Sequence, residues 1–382
     1  MSQLFSTPGK RGSRNGVLNL AAGTLWYAPR SFSMARFLGP SYSLRCVLFH
    51  DISDTDSPFT RGLGVTTTRK NFELALRFIT SYYTPVSLQD IIDGRPLPHR
   101  PVLVTFDDAY ASVAEFAVPL CSSLGVPTVF FINASCLDNQ ELALDNLVCY
   151  AANVCGLDAI NTAIRAVQNT KNLQVGSLTE VFSQFLPSIS LSTRAAFRNS
   201  LLQLVEVNED KLSANACLYL SSQQLRDLQI LNCEIGNHTH THVHCRSLST
   251  KEFVAEIDQN REELELITGR KIRSFSVPYG SSIDLTNDLL RHLQQSGYEA
   301  AFLSESLANS AQTHRLQLNR VSLKASDDAA LFSEIEVLPR LRAIRNSTRR
   351  SDLRLALPAG RQGYLGKDTG ASTAVPKRSP GL

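Results

Sequence analysis

A chain of 382 residues with 43% hydrophobic content can bury one large α/β core or two smaller ones. Its net charge of +3 is unevenly placed: ten Lys/Arg against two Asp between Arg340 and Leu382 give that stretch +8, which leaves residues 1–339 at about −5. A mildly acidic body without a basic, aromatic-laced face excludes nucleic acid as the partner.

In chain order, residues 1–44 carry Lys10, Arg11, Arg14, Arg30 and Arg36 and no acid. They read as a leader followed by a docking segment; peripheral contact with an anionic membrane surface, or a transit sequence, through residues 17–28 and 32–38 is the alternative. No signal peptide is evident and no apolar stretch reaches the roughly 18 residues that span a bilayer, so a cytoplasmic protein is expected. The eight cysteines include no CxxC pair and several sit in apolar runs, as free thiols of a reducing compartment do.

Short apolar runs then end in polar residues. Residues 45–49 run into His50 and Asp51, residues 102–106 into Asp107 and Asp108, and residues 272–277 into Pro278, Tyr279 and Gly280. Helical patterns lie between them. Residues 111–124 read as a helix stopped by Gly125, and the β-branched, aromatic run 128–132 follows. Ser249 and Glu252 form a capping box, after which Phe253, Ile257, Leu264 and Ile267 keep helical spacing to a stop at Gly269.

This alternation predicts a parallel sheet in a (β/α) barrel formed by residues 45–136 and 221–340, with reactive groups at the carboxyl ends of the strands. Residues 137–220 break the rhythm. Their helical patterns (142–154, 159–167, 193–207) hold no cluster of His or carboxylates, so they read as a helical insertion outside the catalytic centre. Residues 341–382, rich in Pro, Gly, Ser, Thr and basic side chains, are expected to be disordered.

Two constellations carry chemistry. Adjacent carboxylates at a strand end, Asp107 and Asp108, repel unless a cation or hydrogen bonds offset the cost; alone they could equally be turn acids opening a helix. His238 and His242 are four residues apart, so on a helical turn both rings leave from one face, while His240 points elsewhere. Two imidazoles and a carboxylate suit a divalent metal ion in a hydrolytic site, Zn2+ first and Co2+, Ni2+ or Mn2+ after it.

Thr105-Phe106-Asp107-Asp108 and His238-Thr239-x-x-His242 resemble the TFDD and H-[S/T]-x-x-H motifs of the carbohydrate esterase family of polysaccharide deacetylases, the NodB homology domain. The flanking residues 101–110, 125–132 and 235–242 agree, and the likeness spans roughly residues 45 to 323 apart from the insertion. It implies a distorted (β/α) barrel and deacetylation of an acetylated glycan. Asp107 then resembles the general base, Asp108, His238 and His242 the metal ligands, and Pro278 with Tyr279 the acetyl-pocket and oxyanion motif.

Three departures stand out. Ser276 and Val277 replace the Arg that partners the base, Arg320 stands where relatives carry the general-acid His, and Ala109 replaces a Gly, a minor change. The run Phe275 to Gly280 with a strand ending in His50 resembles the exopolysaccharide branch, and makes His50 the substitute acid or a substrate contact. His244, His292 and His314 read as surface or structural. Two other functions fit the sequence: hydrolysis of a non-sugar amide in the same fold, and a degenerate carbohydrate-binding protein that has lost turnover. The oligomeric state is not legible.

Overall fold

The computed structural model describes residues 24–28, 31–38, 42–55, 57–168, 173–231, 233–347 and 365. Among them the apolar runs become strands: β1 (Arg45–Phe49), β2 (Asp51–Ile52), β3 (Thr66–Thr67), β4 (Thr84–Pro85), β5 (Pro101–Asp107), β6 (Thr128–Ile132), β7 (Cys233–Asn237), β8 (Ser274–Ser276), β9 (Ala300–Leu303), β10 (Leu318–Asn319) and β11 (Val321–Ser322). The strands pair in parallel, in the order β10-β9-β8-β7-β6-β5-β1-β11, with β4 added at the start of β5 and β2 paired to β3 apart. Parallel neighbours require crossovers, which the helical stretches between the runs supply.

The two ends of this order, β10 and β11, are one continuous segment interrupted by a single residue, Arg320. That segment pairs with β9 on one side and with β1 on the other, so it nearly closes the sheet into the expected barrel. Side chains alternate along each strand. Cys46, Leu103, Val129, Phe131, Ala300, Phe302 and Leu318 fill the interior, while Val47, Phe49, Val104, Phe106, Phe130 and Ile132 face the surrounding helices. The interior leaves no room at Gly236, where a Cβ would come within 2.4 Å of the Phe131 ring and 2.6 Å of Ser274 Oγ. The helix Thr250–Thr268 forms with its Ser249 capping box and Gly269 stop as the sequence expects.

Residues 137–220 are largely helical, with helices Leu144–Cys155, Leu157–Val167, Leu191–Leu204 and Glu209–Ala216 close to the expected spans. They share one apolar cluster with Phe59, Leu63, Val65 and Tyr110 from the barrel loops. At the start of the described chain, Trp26 and Phe32 pack on Tyr82 and Phe332. Of the proposed membrane or transit segments, residues 17–28 and 32–38, only 17–23 lie outside the described residues. At the other end the helix Leu338–Ser347 runs past the expected boundary at 341; the rest of the tail, Leu365 excepted, also lies outside them. No helix among the described residues is long and apolar enough to cross a membrane.

One buried ion cluster fastens β1 to the last helical stretch. Arg45 donates to both oxygens of Glu336 (Nε 2.6 Å, Nη2 3.1 Å), and Arg340 donates to the same carboxylate. Burial opposes the charge on Glu336, but Arg45 and then Arg340 outweigh it and lower its pKa from 4.5 to about 2. A depressed carboxylate stabilises the fold above its unfolded pKa and loses that contribution as pH falls through the folded one. Unfolding free energy is therefore expected to decline between pH 4.5 and 2. Glu336→Gln is expected to flatten this decline and to cost about 3–5 kcal/mol at neutral pH, by leaving buried guanidinium groups unbalanced. Urea titrations across that range measure both.

Candidate metal centre

The polar layer at the carboxyl end of the barrel follows from strand alternation. On β5 the inward series 103, 105, 107 places Asp107 in the barrel mouth, and the chain then turns through Asp108 and Ala109 with left-handed φ of 72° and 56°. An Ala in that region carries strain that a Gly would not, so the Ala at 109 is a larger departure than the sequence suggests.

β7 ends at Asn237, and residues 238–244 leave it as an irregular loop. The expected helical turn is absent. Left-handed residues Thr239 (φ 63°) and His242 (φ 52°) fold the loop so that the two rings still converge, with centroids 5.1 Å apart. His238 Nε2 and His242 Nε2 lie 3.3 and 3.4 Å from the same atom, Asp108 Oδ1, which is buried and makes no hydrogen bond.

The donor set fits a divalent metal ion. Ligand atoms held at about 2.0–2.1 Å from one ion, at tetrahedral or octahedral angles, stand roughly 2.9–3.4 Å apart. The outer nitrogens are already committed, His238 Nδ1 at 2.8 Å from the Ser276 carbonyl and His242 Nδ1 at 2.7 Å from Asp145 Oδ2. If each Nδ1 donates, both Nε2 lone pairs face Asp108. Burial works against charge on His242, but Asp108 and Asp145 hold its pKa above the ordinary value. Burial also works against the Asp108 carboxylate, and His242, His238 and His50 together hold its pKa below the ordinary one.

Asp107 is oriented differently. Arg320 donates to it through two parallel bonds of 2.7 Å, and Ser276 Oγ lies 3.2 Å from its Oδ2. Burial raises the Asp107 pKa, but the Arg320 guanidinium beside it outweighs that and keeps it below the usual carboxylate range. Asp107 therefore has a guanidinium partner, contrary to the expectation drawn from the replaced Arg. The seam residue provides the guanidinium that position 276 lacks, and the two departures at 276 and 320 compensate each other.

His50 follows β1 beside the Asp pair and is only partly exposed. Burial, against the opposing pull of Asp108 and Asp107, lowers its pKa to about 4, so the ring is neutral at pH 7. Tyr279, after Pro278, is left-handed (φ 62°); its hydroxyl donates to Asp145 at 2.8 Å, and its ring lies 4.8 Å from that of His242. His244, read as surface or structural, is buried and stacks on Tyr279 at 3.5 Å. His240 turns away to Gln259 (3.0 Å) and Glu263 (3.8 Å).

The helical insertion does not stay outside the centre. Asp145, in the first turn of Leu144–Cys155, contacts His242, and Arg194, in Leu191–Leu204, donates through Nη2 to the His242 carbonyl at 3.3 Å. Sequence reasoning missed both because neither belongs to a cluster of reactive residue types. The available signal was positional: Arg194, Phe197 and Leu201 share one buried stripe at helical spacing, and Asp145 and Asn146 interrupt an apolar helix on its buried side.

With this geometry in place, comparison with known proteins gives the class. Residues 193–301 match the family model described as polysaccharide deacetylase. A Streptococcus pyogenes deacetylase, PplD, solved in complex with acetate, aligns over 78% of this chain and 99% of its own at 12% identity and a TM-score of 0.52. IcaB from Ammonifex degensii (16% identity, 77% and 98% covered, TM-score 0.48) and the BpsB deacetylase domain from Bordetella bronchiseptica (19%, 74% and 96%, 0.44) are also similar. A search of curated sequences returns no match. Residues 193–301 thus carry the polysaccharide deacetylase match, and the chain shares the (β/α) barrel fold of the Streptococcus pyogenes deacetylase.

Breaking the Arg320–Asp107 pair should reveal its weight. Arg320→Leu is expected to destabilise by about 3–5 kcal/mol, since it strands a buried carboxylate. In the double variant with Asp107→Asn the loss should be clearly less than the sum of the single losses, as equilibrium unfolding of the four proteins would show.

Proposed function

We propose that this protein hydrolyses acetyl groups from the nitrogen of an N-acetylated polysaccharide or glycan precursor, with O-acetyl groups as a lesser substrate, by using a divalent metal ion, Zn2+ in the first instance. The observation that carries this reading is the convergence of Asp108, His238 and His242 on one point, with Asp107 3.6 Å from His238 and held by Arg320. A divalent ion bound there would polarise the acetyl carbonyl and make water beside it more acidic.

Within this reading each residue has a task. Asp107, ionised and fixed by two hydrogen bonds from Arg320, accepts the proton of the attacking water and passes it to the leaving amine. Leu63, Val65 and Ala143, which border a small space beside Asp108 and His242, accept the acetyl methyl group. The Pro278–Tyr279 segment lines the same end of the barrel. His50, neutral at pH 7, suits a hydrogen bond to the sugar better than service as a charged acid. The compensated Arg320–Asp107 pair argues against a degenerate binding protein, because a site that had lost turnover would have no need to keep its base ionised. Eight free cysteines, six of them buried, support action in a reducing, cytoplasmic setting.

Acetate release from N-acetylglucosamine oligomers, with and without chelator, tests the activity; metal-replete protein that releases none overturns it. Asp107→Asn is expected to retain metal and lose about 10²- to 10⁴-fold in rate. Asp108→Asn, His238→Ala and His242→Ala should lose metal, partly restored by excess metal in Asp108→Asn, while His240→Ala keeps metal and activity. Elemental analysis beside the rate assay reports both, and the opposite pattern for the two Asp variants would reverse their roles.

A further inference from the structure

The buried polar groups that the proposed chemistry leaves without a task converge on one side chain. Asp145 is about 4% exposed and belongs to the insertion, yet it touches two residues of the barrel mouth at once. His242 Nδ1 lies 2.7 Å from Oδ2, and the Tyr279 hydroxyl donates at 2.8 Å to Oδ1 and 2.9 Å to Oδ2. His238 has its own equivalent contact, to the Ser276 carbonyl, but that acceptor is part of strand β8 and comes with the barrel. The acceptor for His242 has to be brought in from elsewhere.

The neighbouring contacts show how it is brought in. Asn146 donates to the Phe59 carbonyl (3.0 Å) and the Tyr110 hydroxyl (2.9 Å) and accepts from the Tyr219 hydroxyl (2.7 Å). The chain leaving the insertion pairs with the turn after the two acids: Ala111 N donates to Leu218 O (2.9 Å) and Leu220 N to Ala109 O (2.8 Å). The start of the helix Leu144–Cys155 is thus fixed to the segment that carries Asp108, and Asp145 sits one residue from the anchor. Arg194, from a second helix of the insertion, holds the His242 carbonyl.

We propose that Asp145 is a positioning residue of the metal centre: its carboxylate fixes His242 with a proton on Nδ1 and Nε2 directed at Asp108, so that the insertion sets the affinity of the barrel for its ion. This rests on the metal reading above. A carboxylate behind a metal-bound imidazole orients the ring and raises its strength as a ligand, and removing such a partner costs about 10- to 100-fold in metal affinity. Asp145 is also shared with Tyr279, so the same carboxylate fixes the tyrosine ring against His242.

The experiment uses the full chain and Zn2+ competed against a chelator, with Co2+ absorption spectra at saturation, for the wild type, Asp145→Asn, Asp145→Ala and His238→Ala. The two Asp145 variants are expected to bind Zn2+ about 10- to 100-fold more weakly than the wild type and to change the Co2+ spectrum. A residue that only supported the helix would lower the unfolding temperature of the metal-free protein and leave the affinity of the folded fraction and the spectrum as they are. Zn2+ affinities within twofold of the wild type, with unchanged Co2+ spectra, overturn the proposal. A wild type that binds neither ion, and matches His238→Ala, removes the metal reading instead. If both Asp145 variants fail to fold, the Zn2+-loaded wild type decides by NMR: a strongly downfield Nδ1 proton on His242 supports the contact, and its absence overturns it.

Discussion

Two carboxylates at the end of one buried strand repel each other and lose hydration together, and the surrounding architecture answers that cost. Asp107 and Asp108 are treated separately. Asp107 points into the barrel mouth and meets Arg320, whose two donors match its two oxygens. Asp108 lies beyond the strand on a left-handed residue and faces the two imidazoles with an oxygen that no hydrogen bond occupies. A guanidinium cannot be shared by both acids without losing its bidentate fit, so Arg320 neutralises one and the other faces the two imidazoles. The closure of the sheet follows the same need, because Arg320 stands at the residue where the last segment changes partners from β9 to β1. It reaches the interior at full burial only because Ser276 and Ser304 are small, and both hydroxyls accept from it.

Much of the fold was legible because its signals are local. The strands β1, β5 and β6 coincide with apolar runs whose inner and outer faces are both buried, and the helix from Thr250 announces itself through a cap, a spacing and a stop. The Asp and His pairs were legible as residue types that are costly to bury. Their arrangement was not, since spacing of four implies a helical turn and the loop reaches the same convergence through two positive φ angles. Arg320, Asp145 and Arg194 act over separations in sequence of more than 45 residues and are single charges in otherwise apolar segments, so no local pattern marks their partners. The insertion misled for the same reason: absence of a motif says nothing of one carboxylate carried to a site by a helix.

The loop that carries the histidines is strained, and its inner support is a set of uncharged amides. Thr239, His242 and Tyr279 all adopt left-handed backbone, at a cost of order 1–3 kcal/mol each for residues with a Cβ. Beneath them lie three buried amides. Asn133 donates to the carbonyls of His238 and Thr239, Asn237 accepts from Thr239 N at 2.9 Å, and Asn260 donates to Asn237 at 2.8 Å while accepting from Ala134 N at 2.7 Å. Asn237 also donates to the Ile257 carbonyl and to the Tyr298 hydroxyl, tying the loop to the helix Thr250–Thr268. An amide can donate and accept at once, so this small network supports the loop without placing a further charge under the two imidazoles. Charged side chains in those positions would add to or oppose the charge of Asp108 beside the imidazoles. Neutral amides below and single charges beside the imidazoles thus let a strained loop bring two ring nitrogens to one carboxylate oxygen.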